Sequence, residues 1–199
     1  MSIEAPSQPG LARRAPLSAD LDHAIARATD ALLGLQQDDG HWVFELEADA
    51  TIPAEYVLLK HFLGEPADAG LESKIARYLR RIQGEHGGWP LFHEGVFNIS
   101  ASVKAYFALK MIGDSTEAAH MVKARQAILA HGGAEACNVF TRALLALYGQ
   151  VPWRAVPVMP VEIMLLPRWF PFHLDKISYW ARTVLVPLLV LMALKPRAQ

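Results

Sequence analysis

This sequence predicts an all-α chain, an α/α barrel-type repeat of helix pairs. Three observations carry that expectation. The first is alternation. Between residues 18 and 149, amphipathic runs and runs that are apolar nearly all round follow one another at helical period. The second is a motif that returns. Gln36-Gln37-Asp38-Asp39-Gly40-His41-Trp42 reappears as Gln83-Gly84-Glu85-His86-Gly87-Gly88-Trp89, and 47 residues separate the two tryptophans. That is about the length of one helical-hairpin repeat. The third is that no alternating strand pattern and no hairpin dipeptide pair supports a sheet.

Each motif copy reads Gln, three spacers, Gly, one spacer, Trp, and each follows matching apolar positions: Leu32 and Leu35, then Leu79 and Ile82. A Gln at a helix end can serve unpaired backbone groups of a neighbouring helix through both its carbonyl and its amide. Gly40 and Gly87 permit the tight turn. Trp42 and Trp89 are expected to pack on their Gln and keep water off its bonds. Two similar helix caps with an aromatic nearby are the plainer reading; recurrence at one phase favours a tie between units.

Residues 1–17 are rich in Pro, Ala and Ser and lack periodicity, and they read as a disordered arm. A first, half-wet helix is expected from Ser18 to about Gln37, with Leu21, Ile25, Ala28, Leu32 and Leu35 on one face. A second runs from Thr51 to Gly64, has Pro53 in its first turn, and is apolar all round, so it is expected inside. Leu71 to Gln83 is amphipathic. Asn98 or Ser100 to Ile112 is apolar and closes at Gly113. Ser115 to Ala130 is polar-faced and closes at Gly132-Gly133. Asn138 to Tyr148 is apolar and closes at Gly149. Together, residues 18–199 are expected to form a partial α/α barrel.

Five prolines in residues 151–173 exclude one long helix; a short turn is expected at Val161 to Leu166. Trp153, Met159, Met164, Trp169, Phe170 and Phe172 lie among Arg154, Arg168 and Lys176. Two readings stand: an irregular loop packed on the helices, or an aromatic and basic surface at a lipid or substrate entrance. A last helix, Leu174 to Leu194, should bend at Pro187.

Composition narrows the function. The 199 residues are 52% hydrophobic, with 19 Lys and Arg against 20 Asp and Glu. A near-neutral chain without a basic run is a poor nucleic-acid binder. Cys137 stands alone, so no internal disulfide forms. The start has no apolar signal core, and the longest apolar run, Val184 to Leu194, has 11 residues. A cytosol-facing protein seated on a membrane surface fits these features.

Eight histidines occur without H-E-x-x-H or a Cys/His cluster, so no metal is expected. No G-x-S-x-G, Walker A or dinucleotide fingerprint occurs, so no cofactor is expected either. Most acids lie at turns. Glu55 differs: it sits one turn into an apolar helix. It is either a first-turn acid favoured by the helix dipole or a carboxylate that needs partners.

The Gln-x3-Gly-x-Trp pattern resembles the QW motif of squalene-hopene and oxidosqualene cyclases. A-E-Y-V-L-L-K-H (54–61), K-I-A-R-Y-L (74–79), A-Y-F-A-L-K (105–110), V-F-T-R (139–142), V-P-V-M-P-V-E-I-M-L-L-P (156–167) and Y-W-A-R-T (179–183) resemble the amino-terminal part of bacterial squalene-hopene cyclases. The likeness runs from about residue 20 onward and implies part of a terpenoid cyclase α/α toroid. In that family two α/α barrels surround an apolar cavity. An Asp of a D-x-D-D motif protonates squalene, and aromatic faces stabilise the travelling cation on the way to hopene or hopanol. The resemblance puts Trp180 and Phe140 on the cavity wall, and Glu55 in a polar network where the last cation is quenched. Some members have an acid where Lys104 stands and a base where Asn138 stands.

This chain contains no D-x-D-D. The resemblance therefore implies the amino-terminal portion of an isomerase, without catalytic residues of its own and inactive alone. Its implied partners are squalene or a similar isoprenoid, the missing carboxyl-terminal cyclase portion, and the cytoplasmic side of a membrane, held monotopically. A different class also fits: a non-catalytic helical-repeat module that binds an isoprenoid or a protein. A prenyltransferase β-subunit-like barrel would need a zinc set that a lone Cys137 does not supply.

Overall fold

The computed structural model describes residues 19–44 and 47–198. The expected arm at residues 1–17 and the Ser18 cap lie outside the described residues. Among the described residues are seven α-helices and no strand. The chain divides into two compact units, residues 1–47 and 48–199.

In the first unit, α1 (Ala19–Gly34) carries Asp20 and Asp22 in its first turn, where they complement the helix dipole. It gives way to the turn of the first Gln-Gly-Trp copy, with Gly40 at φ 89°.

The second unit contains six helices. α2 (Thr51–Phe62) begins where Asp49 accepts hydrogen bonds from the Thr51 amide at 2.7 Å and its hydroxyl at 2.6 Å. Asp68 caps α3 (Ala69–Arg81) through the Leu71 amide at 3.0 Å. Asn98 caps α4 (Ile99–Ile112), and Gly113 closes it at φ 112°. α5 is Ala119–Ala130, shorter at its start than expected, because Ser115 to Ala118 forms a separate turn. Asn138 caps α6 (Val139–Leu147). In each cap a short polar side chain satisfies a free amide of the first turn.

Between α6 and the last helix the proline-rich stretch carries 3-10 turns at Trp153–Ala155, Val161–Leu165 and Leu174–Lys176. The turn expected at 161–166 is present. The last helix starts later than expected, at α7 (Tyr179–Leu194), because Ser178 caps it through the Ala181 amide. Pro187 lies inside α7.

α4 is the centre of the second unit. It packs on α2, α3, α5 and α6. Nine of its residues are buried, from Ser100 to Ala105 and Phe107 to Leu109. Tyr148 fastens the end of α6 to α2 by donating its hydroxyl to the Leu58 carbonyl. Its ring meets Phe107 edge-on at 5.1 Å. A smaller core joins Ala143 and Ala146 of α6 to Val156 and to Leu188 and Met192 of α7.

α2 departs from expectation. Only Ala54, Val57 and Leu58 are buried, one face at helical spacing. Ile52 is 64% exposed, Leu59 54% and Leu63 57%. Within this unit α2 packs chiefly on α4 and α3, and Tyr148 beyond the end of α6 reaches its Leu58 carbonyl and the Phe62 ring, while Ile52 and Leu59 stay open.

Candidate functional site

The two copies of the motif fold alike, bond for bond. In each, the Gln side-chain amide donates to the Gly carbonyl four residues on, at 2.6 Å. In each, the indole N–H donates to a carbonyl ten residues back: Trp42 to Leu32 at 2.7 Å, Trp89 to Leu79 at 2.8 Å. Gly40 and Gly87 stand at φ 89° and 90°. The Gln therefore braces its own turn, and the Trp caps a carbonyl in the last turn of the preceding helix, which in the first copy also accepts from the Leu35 amide at 3.1 Å.

Only the second copy carries a bond to another helix among the described residues. Gln83 also donates to the His120 carbonyl, at 3.0 Å, at the start of α5. A Cβ on Gly87 would lie 3.0 Å from the Lys123 carbonyl oxygen, so α5 approaches the turn closely enough to need glycine there. Trp89 is wholly buried, and its backbone amide donates to the Ser102 hydroxyl of α4. Trp42 is 43% exposed.

A charged clasp stands beside this tie. Arg80 at the end of α3 donates through Nε and a terminal nitrogen to both oxygens of Asp114. His120 Nε2 lies 2.7 Å from the same carboxylate. The Arg80 hydrogen bonds hold the Asp114 carboxyl below the usual carboxylate range, and the Asp114 carboxylate raises Arg80 in turn. Neither the clasp nor the role of Ser102 was visible in the sequence; the polar residues after Gly113 were the available signal.

Of the candidate cavity residues, Glu55 lies in the second turn of α2 and its side chain is half exposed. Lys104, buried in α4, donates to its Oε1 at 2.6 Å. Asn138 does not join this pair; its amide N–H donates to Ser100 Oγ, and its side chain caps α6. Phe140 is exposed in the first turn of α6. Trp180 is exposed in the first turn of α7, edge-on to Tyr179 at 5.8 Å. No hydrogen bond or ring contact joins Glu55, Phe140 and Trp180 among the described residues. The thiol of Cys137, close to Ser100, is pushed up by burial, which makes it a poor nucleophile. Among the described residues no cluster of His, Cys, Asp and Glu could hold a metal.

The described site is thus a set of polar and aromatic groups on helices rich in open apolar surface, and the comparisons say what such helices belong to. Residues 25–199 match the family described as squalene-hopene cyclase N-terminal domain. A squalene-hopene cyclase of Bradyrhizobium diazoefficiens is 70% identical over 179 residues, covering 90% of this chain and 27% of that protein. One from Zymomonas mobilis is 68% identical, over 92% of this chain and 28% of that protein. A dammaradiene synthase of Dryopteris crassirhizoma is 38% identical over 88% of this chain and 26% of its own length. The chain spans about a quarter of the length of these relatives. Its all-helical fold and its two QW turns agree with the match: the chain belongs to the squalene-hopene cyclase family and corresponds to its amino-terminal domain.

Proposed function

We propose that this chain is the amino-terminal part of a triterpene cyclase that converts squalene to hopene or hopanol through carbocations, and that it has no activity by itself. The observation that carries the reading is the 70% identity to a named cyclase over most of this chain, combined with the absence of D-x-D-D. Protonating an alkene needs a strong, preorganised acid, and none of the residues here forms one. In this reading Phe140 and Trp180 supply cavity-wall faces for a passing cation, and Glu55 serves the end of the cascade. Purified residues 1–199 given squalene are expected to yield no cyclic triterpene above a no-protein blank by mass spectrometry. Hopene from the chain alone would overturn the assignment.

We propose further that residues 151–173, with Lys176 just beyond them, meet the cytoplasmic face of a membrane from one side. No helix among the described residues is long and apolar enough to cross a bilayer. In this stretch Val158, Leu165, Trp169 and Phe172 are exposed, with Arg168 and Lys176 beside them. Aromatic rings suit the interface and the cations suit headgroups. Phe170 is half-buried and packs between Trp169 and Phe172, so the probe is the other two rings. Replacing Trp169 and Phe172 with Ser is expected to lower co-sedimentation with anionic liposomes about tenfold. Unchanged binding, with soluble oligomers monitored in parallel, would remove the entrance reading.

A further inference from the structure

The stretch from Arg168 to Arg182 sets three Lys or Arg cations, Arg168, Lys176 and Arg182, against one carboxylate, Asp175. Lys176 is occupied: its ammonium donates to the Phe170 carbonyl at 3.0 Å. The two guanidiniums converge on Asp175 from different elements and approach different oxygens. Arg168 Nε, in the proline-rich stretch, stands 3.3 Å from Oδ2. A terminal nitrogen of Arg182, in the first turn of α7, stands 3.9 Å from Oδ1. Neither guanidinium makes a hydrogen bond among the described residues. The backbone around them is fixed. The Asp175 amide donates at 3.0 Å to Nδ1 of His173, whose side chain is 15% exposed, and the Val161–Leu165 turn packs on α7. Elsewhere the same protein closes an Arg–Asp pair tightly: Arg80 donates to both oxygens of Asp114, whose side chain is 8% exposed. Asp175 is 53% exposed and holds its partners loosely. An exposed pair at that separation stabilises little.

We propose that Arg168 and Arg182 form a seat for the phosphate group of an anionic phospholipid, and that Asp175 occupies this seat while the protein is off the membrane. The proposal rests on the one-sided membrane reading above and adds to it a named contact and a latch. Two guanidiniums that approach both oxygens of one carboxylate can serve two oxygens of one phosphate, because the planar fork of Arg matches either anion. The neighbours favour a lipid as the source of that phosphate. Trp169 and Phe172 are exposed beside the cations, and such rings seat at the interface where headgroups lie. Water is sparser there, which strengthens charge-assisted hydrogen bonds. No covalent bond changes: one anion replaces another, and the Asp175 carboxylate turns to water. Asp175 opposes the exchange in two ways. It occupies the donors, and its charge is repelled by an anionic surface.

Co-sedimentation of residues 1–199 with vesicles tests the latch, with soluble oligomers and melting temperature followed for each variant. The vesicles are phosphatidylcholine alone, or phosphatidylcholine mixed with phosphatidylglycerol. Asp175→Asn is expected to raise affinity for the mixed vesicles about tenfold and to leave affinity for phosphatidylcholine alone unchanged. Glu162→Gln removes an equal charge from an exposed residue without an ion-pair partner among the described residues, and is expected to give about threefold at most. Arg168→Gln is expected to cost about threefold in the parent and about tenfold in Asp175→Asn, because only the second leaves the seat free. If Asp175→Asn does not fold, Asp175→Ser carries the same expectations. Equal gains in Asp175→Asn and Glu162→Gln, a gain on phosphatidylcholine alone, or equal losses for Arg168→Gln in both backgrounds overturn the seat and leave the membrane reading standing. If parent and Asp175→Asn bind neither vesicle, the membrane reading itself is overturned.

Discussion

Trp89→Ala is expected to destabilise the chain by about 3–5 kcal/mol, whereas Trp42→Ala should cost about 1 kcal/mol. The same residue in the same local geometry is compared twice. Trp89 is wholly buried, and its indole N–H satisfies Leu79 at the end of α3. Removing it leaves a large cavity under α4 and frees a buried carbonyl. Trp42 makes the matching bond to Leu32 but remains 43% exposed. Truncating it loses the bond and part of an already wet ring. In thermal unfolding followed by circular dichroism, the first variant should melt about 10 °C below the parent. The second should stay close to it. Equal losses would mean that the repeated motif, and not its burial, sets the energy.

Asp114→Asn should cost about 1.5 kcal/mol, and the parent protein should lose that same contribution in acid. Arg80 is partly exposed, which places the estimate at the low end for a charged hydrogen bond. The sign follows from Asp114. Its carboxyl titrates lower in the folded chain than its ordinary 3.8, chiefly because Arg80 donates to it. The stabilisation is therefore complete above the unfolded value. It declines as pH falls below about 4 and is gone once pH passes the depressed folded value. Denaturant melts of parent and Asp114→Asn should differ at pH 7 and converge toward pH 2. A constant gap across that range would show that the carboxylate charge contributes nothing.

What could be read from the chain was local. Asn98 and Asn138 cap helices as their types suggest, and Gly113 closes one in the left-handed region, because these effects act within a turn. The 47-residue spacing gave two turns that match bond for bond. The open side of α2 was not legible. Apolar periodicity shows that a face can be buried, not which neighbour covers it, and within its unit α2 packs chiefly on α3 and α4. The partners of charged groups were hidden for the same reason. Arg80 and Asp114 lie 34 positions apart, Lys104 and Glu55 49, and no local pattern encodes those meetings. Phe140 and Trp180 came from the resemblance, and the described structure places both on exposed first turns. Gln36 and Gln83 were expected to reach a neighbouring helix; each first braces its own turn, because the Gly carbonyl is the nearer acceptor.

The most direct test of the cyclase reading is to let this chain replace the matching amino-terminal residues of the 70% identical Bradyrhizobium protein and to offer the purified chimera squalene. The account predicts polycyclic triterpene from the chimera, none from residues 1–199 alone, and none from the remainder alone. A chimera that folds and consumes no squalene, while the parent relative does so under the same conditions, would contradict it.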